Sequence, residues 1–209
     1  VRKNSEGFVC AYGYSALGLN NGLINPNELT KSEWGCIVTP AEVREIVAEN
    51  SGIDNTTLVN YKNINDPKSK FQLTLKKAYK RFLALDEKHP LRQDFVAYRH
   101  DNADWLEPKV VYSILKRKNN GLEYEEWNIA ERNLYNPDFV NIDTRKTRVS
   151  QLLEANKGEL DFFAFKQFMA EKHLQAGREN LHAQGLKLFG DMAITFSKDE
   201  VWANPKAFL

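Results

Sequence analysis

The 209 residues, 42% of them hydrophobic, are enough to build one large or two small packed domains. Lys and Arg (29) nearly cancel Asp and Glu (28), which argues against a polyanionic partner such as nucleic acid or an anionic membrane. There is no apolar run of the ~20 residues needed to span a bilayer and no signal-peptide core at Val1 to Glu6, and Cys10 and Cys36 suit neither a disulfide framework nor a zinc site, so a cytoplasmic globular chain is expected.

Residues 8–29 are rich in Gly, Asn and Tyr without helical period, and predict an ordered loop anchored by Leu23 and Ile24. Thr39-Pro40-Ala41-Glu42 has the form of a capping box with Pro at the first helical position, and predicts a helix that Asn50 and Gly52 end. Between 67 and 85, Phe71, Leu75, Ala78, Tyr79 and Phe82 recur at helical spacing, with Lys70, Lys76, Lys77, Lys80 and Arg81 on the other faces. Further helices fit 91–100, 108–118 and 125–134, broken at 101–107 and at Asn119-Asn120-Gly121. A longer one fits 160–183, with Phe162, Phe165, Phe168 and Met169 as its buried stripe and Gly185 as its stop. The period then changes, and Leu186 to Phe189 and Ile194 to Phe196 read as extended chain around Gly190-Asp191, a helix-to-strand unit of an α/β barrel.

Several catalytic patterns fail on their own chemistry. Gly13-Tyr14-Ser15-Ala16-Leu17 is no nucleophile elbow, because Leu17 stands where the strained turn needs Gly. Glu179 and His182 lie one helical turn apart, but a carboxylate-bridged metal site needs a second such pair and two more Glu. His89, His100 and His173 stand singly, so neither metal nor cofactor is expected. Glu123, Glu125 and Glu126 read as solvated. Aromatics interleaved with small and amide residues, at Tyr12 to Ala16 with Asn20-Asn21 and at Val201 to Pro205, are the residue types that stack on pyranose faces and bond hydroxyl edges. By residue type alone, the same Tyr and Trp more often serve a core or an interface than a ligand platform.

In their order, these segments resemble glycoside hydrolase family 77, the amylomaltases and disproportionating enzymes. Ser15-Ala16-Leu17-Gly18-Leu19-Asn20-Asn21-Gly22-Leu23-Ile24 is similar to the family's Ser-Ala-Phe-Ala-Gly-Asn-Pro loop, which lines the active cleft. Phe95, Asn102-Ala103-Asp104-Trp105-Leu106, Leu115-Lys116, Gly121 and Trp127 resemble its helical insertion. Phe165, Gln167, Phe168, Gln175, Gly185, Leu186 to Asp191 and Val201-Trp202-Ala203-Asn204-Pro205 resemble its second barrel helix and third barrel strand. The chain departs from the pattern at Val9-Cys10-Ala11, where the family has Ser-Pro-Tyr, and at Met192-Ala193 after Gly190-Asp191.

The resemblance implies an α/β fold: a mostly helical piece of a (β/α)8 barrel with a cleft loop at 1–38, the helical insertion at 39–158, and a barrel helix, strand and following loop at 159–209. It implies a retaining 4-alpha-glucanotransferase acting on maltodextrin or another α-1,4-glucan, whose nucleophilic Asp, acid/base Glu and third Asp follow later strands, beyond these residues. The chain is therefore expected to be an internal piece, inactive by itself. Its substrate-binding candidates are Asp191, Ser15, Asn20, Tyr12, Tyr14 and Trp202, with Trp202 supporting the site from behind. Asp191 could equally bond loop amides, and Asn20 could simply cap a turn. A non-catalytic glucan-binding or protein-interaction module built on the same helices is the alternative reading.

Overall fold

A computed structural model describes residues 17–51, 64–188 and 196–208, and among these the chain is mostly helical, with no strand. Its contacts divide it into two units, residues 1–18, 101–163 and 189–209 in one and residues 19–100 and 164–188 in the other.

The second of these units begins with 3-10 turns at Asn21–Leu23, Glu28–Thr30 and Ser32–Trp34, which bury Ile24, Leu29 and Trp34 and leave Leu23 exposed. Helix α1 (Pro40–Asn50) starts at the predicted capping box: Thr39 Oγ1 accepts from the Glu42 amide, and Glu42 accepts from the Thr39 amide. Glu42 is itself buried. The Arg81 guanidinium donates to both its oxygens at 2.7 and 3.0 Å and, with the Thr39 bonds, holds its carboxyl at about 2 despite burial. Arg81 also donates to the Ile37 carbonyl, so one side chain ties the loop and α1 to helix α2 (Lys70–Leu83).

Helix α2 buries Phe71, Leu75, Ala78 and Phe82, as its periodicity predicts. Helix α3 (Pro90–Asp101) adds Leu91 and Phe95, and the part of α7 (Glu159–Ala183) in this unit adds Phe165, Phe168 and Met169. Phe82 meets Phe95 edge-on at 5.3 Å and Phe165 at 5.1 Å, and Phe95 meets Phe168 at 5.6 Å, an aromatic chain through the core. His173 stacks on Trp34 at 4.2 Å and 3°.

The other unit is built on α4 (Ala103–Lys118), which begins five residues before the expected start and carries Pro108 in its second turn. Pro108 lacks the N–H that would donate to the Asp104 carbonyl, and its ring crowds that carbonyl; the helix carries this cost with Leu106, Val110, Val111, Ile114 and Leu115 buried on either side. The predicted helix at 125–134 is a 3-10 turn, Tyr124–Glu126, followed by the short α5 (Ile129–Arg132). Glu123 and Glu125 are not simply solvated: Glu123 accepts from the Tyr112 hydroxyl and from Lys116, both at 2.7 Å, and Glu125 pairs with Lys198. Two helices are unanticipated, α6 (Ile142–Ala155) and α8 (Lys198–Ala203). Helix α6 buries only Val149 and Leu152, too few apolar positions to mark a period.

The expected strand at 186–189 is not seen where it can be checked. Leu186 and Leu188 are about half exposed and Leu186 to Leu188 join no ladder, since no other described segment offers an extended partner. Residues 189–195 lie outside the described part.

Candidate functional site

In the loop that the resemblance singles out, the Leu19 amide donates to Gln167 Oε1 at 2.7 Å, and Gln167 Nε2 donates back to the Leu19 carbonyl at 3.1 Å. Gln167 lies on α7 between Phe165 and Phe168 and is 3% exposed, so its polar head is stable there only because both its atoms are bonded. The next residue, Asn20, caps the 3-10 turn Asn21–Leu23: its Oδ1 accepts from the Gly22 amide at 2.8 Å. A Cβ at Gly22 would sit 3.2 Å from that oxygen and 3.2 Å from Ile64, so the turn favours a residue without a side chain. Asn20 itself is exposed.

In the other unit, the Leu17 amide donates to Glu200 Oε1 at 3.3 Å, and Oε2 of the same carboxylate accepts from the Ser197 amide at 3.1 Å, the carboxylate half of a capping box at the start of α8. Leu17, Trp105, Lys109, Asp199, Glu200 and Asn204 line a recess of about 20 Å³, room for one water molecule. Across it Lys109 pairs with Asp199 at 2.6 Å. The recess is too small for a sugar ring.

Trp202 is a core residue. It is 2% exposed, and its ring packs against Tyr135 at 4.7 Å, Tyr112 at 5.5 Å and Trp127 at 5.8 Å. Its indole nitrogen donates to the Glu131 carbonyl at 3.1 Å. A ring so covered offers no open face to a pyranose, so Trp202 makes no direct sugar contact and can bear on a site only from behind, through the core. The Glu131 side chain accepts from Lys118 at 2.6 Å, Arg148 at 2.9 Å, Asn128 at 3.0 Å and Asn119 at 3.1 Å. Burial alone would raise its pKa, but Lys118, Asn119 and Arg148 outweigh it and hold the carboxyl at about 2.

Of the six sequence-derived candidates, Asn20 and Trp202 are placed as above, while Tyr12, Tyr14, Ser15 and Asp191 lie outside the described residues. Sequence reasoning gave no role to Gln167, Glu200 or Glu131. Ser197-Lys198-Asp199-Glu200 does carry the spacing of a capping box, and a Gln inside an apolar stripe is a signal of a buried amide in need of partners.

Comparison with known proteins places this helical scaffold among carbohydrate-active enzymes. A family model described as 4-alpha-glucanotransferase, glycoside hydrolase family 77, matches residues 12–209, and the chain belongs to that family. It is 30% identical over 122 residues to the 4-alpha-glucanotransferase of Thermus thermophilus, covering 56% of this chain and 22% of that protein. It is 25% identical over 159 residues to that of Clostridium butyricum, covering 75% and 29%, and 28% identical over 155 residues to the chloroplastic/amyloplastic enzyme of Arabidopsis thaliana, covering 72% and 24%. The chain thus spans between about a fifth and a third of the length of these relatives. Among the described residues, no helix is long and apolar enough to cross a membrane.

Proposed function

We propose that the chain is part of a 4-alpha-glucanotransferase that opens an α-1,4 bond of a maltodextrin, holds the glucosyl segment as an enzyme ester, and passes it to the 4-hydroxyl of another glucan with retention. The observation that carries this reading is the family match over residues 12–209, nearly the whole of the chain. In this reading 39–158 is the helical insertion of a (β/α)8 barrel, 159–209 supplies a barrel helix, strand and loop, and 1–38 supplies a cleft loop. Ser15, Asn20, Tyr12 and Tyr14 meet the glucan from that loop, and Asp191 meets it from the C-terminal end of the strand, where barrel sites gather.

Ester formation needs a carboxylate nucleophile and a second carboxyl that carries a proton, ~5 Å apart. We assign neither to these 209 residues. The buried carboxylates among the described residues are already committed: Glu42 to Arg81, Glu131 to Lys118 and Arg148, and Glu200 to two backbone amides. Two of them, Glu42 and Glu131, are held near 2 and cannot supply a proton near neutral pH. What these residues contribute is the scaffold and part of the glucan contact.

Incubation of the full-length protein with maltotriose tests the reading. Glucose and longer maltodextrins in matched yield support it. A full-length protein that leaves maltotriose unchanged, or releases only hydrolysis products, refutes it.

A further inference from the structure

Gln167 closes a ring with the backbone of Leu19. Its primary amide presents one acceptor and one donor side by side, so it satisfies both the N–H and the C=O of a single loop residue at 2.7 and 3.1 Å, as a neighbouring strand would. The loop has no sheet or α-helix of its own to do this, and a backbone left unpaired beside a buried side chain would be costly. Gln167 cannot easily move, because it is 3% exposed and its neighbours Phe165 and Phe168 are 0% and 2% exposed. The clamp therefore fixes the residue immediately before Asn20.

Asn20 then has one defined orientation. A backbone N–H can only donate, so the atom that faces the Gly22 amide at 2.8 Å is Oδ1. The Nδ2 of this exposed side chain has no partner among the described residues. An amide N–H donates to any oxygen acceptor, and a sugar hydroxyl is the one that the proposed glucan site supplies.

Building on the proposed glucan site, we infer that Gln167 is a positioning residue for substrate binding: through Leu19 it holds Asn20 so that its Nδ2 donates to a glucan hydroxyl. Gln167 touches no substrate. Its effect belongs in affinity, with the chemical step nearly untouched.

Three variants in the full-length protein test this with maltotriose as the probe. Gln167→Met keeps length and burial but cannot clamp. The Leu19 amide should exchange with solvent roughly tenfold faster while the amides of Leu75 and Phe82 stay protected, and KM should rise about fivefold with kcat within about a factor of two, the worth of one neutral hydrogen bond. Asn20→Asp keeps the cap but removes the donor, and should raise KM to a similar extent with Leu19 exchange unchanged. Gln167→Glu gives the most distinctive readout. Its ionised carboxylate would face the Leu19 carbonyl acceptor to acceptor, whereas its protonated form regains a donor, and burial raises its pKa. Its KM relative to wild type should thus fall back as pH is lowered towards about 5. Unchanged KM in Gln167→Met, or a Gln167→Glu ratio that does not vary with pH, overturns the positioning role while wild-type transfer stands. A wild type that does not transfer overturns the reading on which the role rests, and is recognised separately because the Leu19 exchange result is read without any glucan.

Discussion

Replacing Glu131 by Gln removes the charge at the centre of the unit that contains α4, α5 and α6, and leaves the shape almost unchanged. The carboxyl has a pKa of about 2 against an ordinary 4.5, because Lys118, Asn119 and Arg148 outbid the cost of its burial. A folded-state pKa below the unfolded one contributes stability that is fully present above about 4.5 and is lost as pH falls towards about 2. Taken at face value the difference corresponds to about 3 kcal/mol. The cations that produce it are not buried, Lys118 being 54% and Arg148 36% exposed, so solvent screening brings the expected contribution to about 1–2 kcal/mol. Urea unfolding followed by circular dichroism should show Glu131→Gln less stable than wild type by that amount at pH 7, with the gap closing between pH 4.5 and 2.5. Glu42 titrates in the same range, but it does so in both proteins and cancels in the difference. A gap that persists unchanged at pH 2.5, or no gap at pH 7, would refute the assignment of Glu131 as an ion-paired carboxylate.

Trp202→Phe keeps a ring among Tyr112, Trp127 and Tyr135 but loses the indole bond to the Glu131 carbonyl, and should cost about 1–3 kcal/mol in the same unfolding assay, against about 3–5 kcal/mol for Trp202→Ala. Gly35 has φ +72° and ends the 3-10 turn that buries Trp34; a Cβ there would lie 2.8 Å from Leu85 Cδ1. Gly35→Ala should therefore lower stability by about 1–2 kcal/mol, mainly through the left-handed backbone because the Leu85 side chain can give way, and a neutral result in a thermal melt would contradict this. In the full-length protein, Asp191→Ala should lower turnover of maltotriose more than it weakens binding measured by calorimetry, as expected of a group that acts on the distorted sugar; unchanged turnover in a folded variant would move Asp191 to a structural role.

Much of the helical order was legible because strong local signals agree with the packing. Thr39-Pro40-Ala41-Glu42 gives the start of α1, and the spacing of Phe71, Leu75, Ala78 and Phe82 gives α2 and its buried face. Where burial is sparse, as in α6 with Val149 and Leu152 alone, no period stands out and the helix was missed. Pro108 misled in the opposite direction: read as a helix start, it sits inside α4, whose burial of Leu106, Val110, Val111, Ile114 and Leu115 carries the helix across a residue that local preference places at its first turn. The site was less legible than the fold. Trp202 carries the residue type of a sugar platform, and only the surrounding Tyr112, Trp127 and Tyr135 show that its faces are taken. Gln167 and Glu200 bond backbone at residues 148 and 183 positions away, a relation that no local pattern encodes.

The central claim is that these residues supply scaffold and glucan contacts but not the reacting carboxylates. Its most direct test is prolonged incubation of the 209-residue polypeptide alone with maltotriose, after its helical folding has been checked by circular dichroism, with the full-length protein run beside it. The account predicts rearranged maltodextrins from the full-length protein and none from the 209 residues. Glucose and longer maltodextrins formed by the 209 residues, at a rate that follows their concentration and survives removal of contaminating enzyme, would contradict it.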